Sequence, residues 1–182
     1  AATRDVMNKF GLNVSEAEMD PWHGAQKTAV MEWFVDDRNL NGKIDIDEMD
    51  DALVSALEDA YFSADAQISL ISPQLPAYFD KLRTSGSQVA LNTGYPSKIQ
   101  ERILSELRMK EMVDAYTCAY NVSAGRPMPY MTFQLMEKCG IANVKQVAKA
   151  GDTVADIGEG RNAGCGLNIG VLSGADSAEQ LK

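Results

Sequence analysis

Apolar positions recur at helical spacing through the first half of the chain and in short unbroken runs through the second. Residues 5–10 predict a short amphipathic helix. Ala29, Val30, Trp33 and Phe34 share one face of a segment over residues 25–35. Met49, Ala52, Leu53, Ala56, Leu57 and Ala60 do the same over residues 48–62. Pro73 fits an early position of a further helix that runs to about Arg83. The pattern changes at Ser87. Val89-Ala90-Leu91, closed by Asn92-Thr93-Gly94, reads as a buried strand, and residues 114–120, 146–150 and 167–172 read as three more. Helices over residues 96–107, 127–139 and 153–162 separate them, with Gly140 and Gly164 placed as C-terminal stops.

This alternation predicts an α/β fold with a parallel sheet and helices on its faces. The domain boundary falls near residue 85: a helical unit over residues 1–84 and an α/β unit over residues 85–182. In such sheets ligands bind beyond the carboxyl ends of the strands. That rule selects Thr93, the loop around Ser123 to Arg126, and Asp152.

Charge narrows the partners. The 182 residues carry 17 Lys+Arg against 26 Asp+Glu, a net charge of -9. Nucleic-acid binding through the phosphate backbone calls for a basic face, and this composition argues against it. No apolar run is as long as a membrane span. The three cysteines, Cys118, Cys139 and Cys165, are odd in number and lack CxxC spacing. They read as small buried hydrophobes in a reducing, intracellular compartment. The first residues carry no signal-peptide core and no initiator Met, which suggests a processed, truncated or incompletely recorded chain.

Residues 37–48 fit a twelve-residue calcium loop. Asp37, Asn39 and Asn41 supply side-chain oxygens at its first, third and fifth positions. Gly42 allows the turn, Lys43 offers its backbone carbonyl, and Ile44 braces the loop. Asp45 ligates through water, and Glu48 can bind bidentate, which favours calcium over magnesium. Helical patterns flank the loop on both sides. The plain alternative is a polar interhelical turn. No second loop of this kind is present, and Asn at the third and fifth positions lowers the ligand charge.

The strand-end residues resemble the haloacid-dehalogenase superfamily of hydrolases, and most closely its phosphonoacetaldehyde-hydrolase, or phosphonatase-like, branch. The resemblance covers roughly Ser87 to Lys182. Val89-Ala-Leu-Asn-Thr-Gly-Tyr95 looks like the second motif, in which Thr93 would donate a hydrogen bond to the transferring phosphoryl group. Ala124-Gly-Arg-Pro-Met-Pro129 looks like the third, with Arg126 stabilising phosphoryl oxygens. Gly151-Asp-Thr-Val-Ala-Asp156, followed by Gly158-Glu-Gly-Arg-Asn-Ala-Gly164, looks like the fourth, with Asp152 and Asp156 directed at one Mg2+. Singly, Thr93 reads as a strand-end hydroxyl, Arg126 as a surface cation and the aspartate pair as a complement to a helix dipole. Jointly, in order on successive strand ends, they read as a site.

The resemblance makes the first helices the family's cap. His23-Gly-Ala-Gln-Lys27 then resembles the cap's specificity loop. Lys27 is the positional candidate for the lysine that forms a Schiff base in true phosphonoacetaldehyde hydrolases, although relatives that are plain phosphatases carry a lysine here too. His23, the only histidine, is either a cap acid/base group or a packing residue. The family's first motif, a strand ending in the nucleophilic aspartate, would precede the cap. No segment from Ala1 onward matches it, so the sheet is expected to lack its central strand and the magnesium site one ligand. A last strand is likewise expected beyond Lys182.

The implied protein is a calcium-binding hydrolase of a small phosphorylated or phosphonate substrate, active as the full-length chain, with Ca2+ in the loop and Mg2+ in the core. A homodimer through the cap is the assembly this reading allows. Calcium is expected to shift the cap and so the activity. The competing reading is a catalytically inactive, calcium-responsive binding protein on the same scaffold.

Overall fold

A computed structural model describes residues 2–182. The first helices are α1 (Ala2–Lys9), α2 (Glu16–Met19), α3 (Lys27–Asp37), α4 (Ile46–Phe62) and α5 (Leu75–Thr84). The apolar faces of α1, α3 and α4 meet in one cluster, and α5 lies outside it. Met7, Leu12, Met31, Phe34, Met49 and Leu53 are at most 1% exposed in it. Such side chains each contribute on the order of 2 kcal/mol by leaving water. α2 is short but firmly started: the Ser15 hydroxyl accepts from the Glu18 backbone N–H while the Glu18 carboxylate accepts from that of Ser15. Pro73 does not open α5. The helix begins at Leu75 with Pro76 in its first turn, where a missing N–H costs nothing.

The α/β half runs β1 (Ala90–Thr93), α6 (Ser97–Glu106), β2 (Ala115–Cys118), α7 (Tyr130–Lys138), β3 (Ala148–Gly151), α8 (Val154–Ala163) and β4 (Leu167–Gly170). The strands are parallel, as the alternation predicts, but they form two pairs rather than one sheet: β1 with β2, and β3 with β4. Burial differs from expectation accordingly. Only β2 is buried through most of its length. Ala90, Ala148 and Ala150 are exposed, as are Leu167 at 55% and Ile169 at 41%.

Side chains link the two pairs instead of a ladder. Asn92 of β1 donates to both carboxylate oxygens of Glu159 on α8, at 3.0 and 2.9 Å. Its own carbonyl oxygen accepts from Lys149 of β3 at 2.8 Å. The alternation of elements was legible; this junction was not, because its members are polar and far apart in sequence.

Candidate functional site

The strand ends and the cap enclose one cavity of about 620 Å³. Thr93, Arg126, Asp152 and Asp156 line it from the core, and His23, Lys27 and Tyr61 from the cap. The core residues reach it from beyond the strand ends: Thr93 closes β1, Arg126 lies in the loop that follows β2, Asp152 follows β3, and Asp156 is in the first turn of α8. Thr93 is the last residue of β1, and its Oγ1 accepts from the Tyr95 backbone N–H at 3.2 Å, which leaves its O–H to donate. Asp152 and Asp156 flank Thr153, the N-cap of α8, whose side chain accepts from the Asp156 N–H. Asp152 accepts from the Ala175 N–H at 2.9 Å.

Asp156 sits between two cations. It pairs with the Arg126 guanidinium and, at 2.9 Å, with Lys149 Nζ. Burial pushes its carboxyl upward, but Arg126 and Lys149 more than offset this and hold it below its usual range. Lys149 also bridges to Glu159 at 2.9 Å, and Glu159 is fully buried with Thr132 N–H and Oγ1–H donating to it. Among the described residues the buried Nε–H of Arg126 has no acceptor. A buried donor without a partner is costly.

Lys27 opens α3 and faces Arg126 across the cavity. Burial, with a smaller contribution from the Arg126 charge, lowers its amine from 10.5 to about 8. About a tenth is therefore neutral, and nucleophilic, at pH 7, far more than for an exposed lysine. His23 Nδ1 lies 3.3 Å from the buried carboxylate of Asp176, which also accepts from the Val154 N–H.

The cap segment meets the core through backbone. A Cβ at Gly94 would lie 2.8 Å from the Ala25 carbonyl oxygen, and one at Gly125 would lie 2.7 Å from Gln26 Cβ. The Gly125 N–H donates to Gln26 Oε1 at 3.0 Å. Glycine is required at both positions for the cap to close this far.

In donor chemistry the carboxylates of Asp152 and Asp156 suit a hard cation such as Mg2+, although Asp156 is paired with Arg126 and Lys149 in this structure. Among the described residues, no three acidic, His or Cys side chains converge on one point. The loop over residues 37–48 is therefore shaped as expected, but its oxygen side chains are not gathered on one point. α3 ends at Asp37 and α4 starts at Ile46, Asn39 and Gly42 have φ of 56° and 75°, and Asp45 caps α4 by accepting from the Asp47 and Glu48 N–H groups. Asp37, however, pairs with Arg38, and Asn41 donates to Asp36.

A family model described as haloacid dehalogenase-like hydrolase matches residues 5–164. The chain belongs to that family. It is 33% identical over 135 residues to a phosphonoacetaldehyde hydrolase of Parabacteroides distasonis, covering 74% of this chain and 49% of that one. It is 36% identical over 98 residues to one of Bacteroides fragilis, covering 53% and 37%. The chain thus spans about half or less of the length of these curated relatives. The fold agrees with a phosphonoacetaldehyde hydrolase-like protein from Oleispira antarctica, with a TM-score of 0.72 and 23% identity over 93% of this chain and 64% of that one.

Sequence reasoning had not singled out Lys149, Glu159, Tyr61 or Asp176. A lysine between two alanines in a short strand was the available signal for Lys149.

Proposed function

We propose that this family member, as the full-length protein, hydrolyses a small phosphonate or phosphorylated substrate, with phosphonoacetaldehyde the leading candidate. The observation that carries this is the convergence of Thr93, Arg126 and a Lys27 of lowered basicity on one cavity. Arg126 and Thr93 would hold the phosphoryl oxygens and the charge that develops on them. The Lys27 amine would condense with the aldehyde carbon and lose water, so that the imine withdraws the electron pair as the carbon–phosphorus bond breaks. The attacking carboxylate is, in this reading, the first-motif aspartate on a segment before the cap. Asp152 and Asp156 would hold Mg2+, which when bound would neutralise phosphoryl charge. Protonation of the resulting enamine and its hydrolysis release acetaldehyde and free the Lys27 amine, and a second water hydrolyses the aspartyl-phosphate to complete turnover.

Calcium binding at residues 37–48 is part of the proposal. The positive φ at Asn39 and Gly42 and the Asp45 cap favour it, with Asp37 and Asn41 leaving Arg38 and Asp36 as metal enters. A reducing intracellular setting suits the three free cysteines.

The test is phosphate release by the full-length protein with magnesium, from phosphonoacetaldehyde and a panel of phosphate monoesters. Arg126→Ala should lower kcat by about a hundredfold or more. Borohydride should trap the aldehyde on Lys27 in the wild type and not in Lys27→Met. Turnover of monoesters without trapping assigns a phosphatase. No turnover of any substrate, with calcium bound by calorimetry, favours the binding-protein reading. Identical kinetics with and without bound calcium would remove the regulatory role.

A further inference from the structure

The cap is moored to the core along α4, and the moorings differ in kind. Near its C-terminal end Glu58 pairs with Lys98 and Arg102, which are 66% and 41% exposed. Exposed ion pairs of this kind add little. Tyr61 meets Tyr95 hydroxyl to hydroxyl at 2.7 Å, next to the end of β1.

The first turns of α4 carry a different contact. The Tyr120 hydroxyl donates to Asp50 Oδ1 at 2.6 Å, across 70 residues of sequence. The Thr28 hydroxyl donates to the same oxygen at 3.3 Å. Burial and the Asp50 carboxylate both push the Tyr120 phenol upward, so it stays a donor at any working pH. A hydrogen bond from a half-buried phenol to a carboxylate is of the stronger, charge-assisted kind.

Each partner adjoins a pocket residue. Thr28 follows Lys27 on α3. Tyr120 lies in the turn Ala119–Asn121 after β2, and the same loop continues to Gly125 and Arg126. Gly125 in turn donates to Gln26, next to Lys27. One carboxylate oxygen therefore ties together the two segments that deliver the Lys27 amine and the Arg126 guanidinium.

We propose that Asp50, Tyr120 and Thr28 form a latch that holds the cap segment against the Arg126 loop, with Asp50 and Tyr120 acting as positioning residues for Lys27 and Arg126. The inference rests on the cavity being an anion pocket only for its binding consequence. The closed geometry stands on the contacts themselves. Neither residue touches the cavity, so their effect runs through closure.

The experiment uses the full-length protein, inorganic phosphate as the probe, and reductive methylation of lysines read by mass spectrometry at one pH. In the wild type Lys27 should methylate slowly, and phosphate should slow it further. Tyr120→Phe and Asp50→Ala should each expose Lys27 to methylation and weaken phosphate binding by about tenfold, the loss expected for one charge-assisted hydrogen bond. Asp50→Asn keeps an acceptor oxygen and should restore most of the protection, which a general loss of stability would not do. Equal Lys27 protection in wild type and Tyr120→Phe overturns the latch, whatever the phosphate result. Absence of phosphate binding to the wild type overturns the anion-pocket reading, while the methylation comparison still decides the latch. If Asp50→Ala fails to fold, Tyr120→Phe, which removes one hydroxyl, decides it.

Discussion

The two halves of this chain hold together by different physics. The helical half buries Met7, Phe34, Met49, Leu53 and their neighbours in a cluster whose buried members are all apolar. The α/β half also buries apolar side chains such as Leu104, Cys118 and Met131, but adds to them Glu159, Asp156, Lys149, Thr117 and Thr132, and leaves Val154, Leu167 and Ile169 exposed. In the first, stability comes from removing carbon from water and depends little on which atom faces which. In the second, every buried charge needs its partner in place, and the partners are spread over β1, β3, α7 and α8. The catalytic candidates sit at the border, supplied by one half and enclosed by the other.

The contrast can be broken by substitution. Phe34→Ala should cost about 4 kcal/mol of helical-half stability, from lost transfer energy and the cavity left behind. Denaturant unfolding should show that loss to be insensitive to pH. Lys149→Met should cost about 3 kcal/mol, because Asp156 and Glu159 lose the cation between them. Its deficit should depend on pH. The Asp156 carboxyl is held below its ordinary 3.8 in the folded protein, so its stabilisation is present above that value and lost as pH falls through the folded one. Unfolding curves of wild type and Lys149→Met should converge in acid. Failure to converge would place the Lys149 contribution in its methylenes rather than its charge.

A third measurement sharpens the border itself. The rate of Lys27 modification should rise with pH through about 8, well below the 10.5 of an exposed lysine. Arg126→Gln should move that midpoint up only part of the way, since burial is the larger cause. The same depression means that the folded protein binds fewer protons at Lys27 than the unfolded chain between about 8 and 10.5, so this group adds stability as pH rises across that window. The smallest effect is at the calcium loop. Asp45→Ala removes the α4 cap and should cost about 1 kcal/mol without calcium, and more with calcium present if the loop binds it.

How much of this was legible varies by element. α4 follows the apolar spacing closely, running Ile46–Phe62 against an expected 48–62, whereas α3 buries Val30, Met31, Phe34 and Val35 and leaves Ala29 and Trp33 of the expected face exposed. α2 was missed, although Ser15 and Glu18 spell a capping box, because four residues are too few for periodicity to register. The strand-end rule selects Thr93, the loop that ends at Arg126, and Asp152, the family resemblance adds Asp156, and all four line the cavity. Their pairing was not legible. Asp156 was read as a metal ligand beside Asp152, and in the folded chain it faces Arg126 and Lys149. No spacing rule links residue 126 or 149 to residue 156, since the link is made only when three strand ends come together.

By itself, then, the sequence determined the local order: which segments are helix, which are strand, where the strands end, and that residues 37–48 turn on Asn39 and Gly42. These follow from periods of two and 3.6 and from the few residues that tolerate a positive φ. Only the tertiary structure decided that the four strands pair two by two, that Lys149 and Glu159 bridge them, and that Tyr120 reaches Asp50. Those outcomes depend on polar groups distant in sequence finding partners once water is excluded, and such pairings leave no period along the chain to be read.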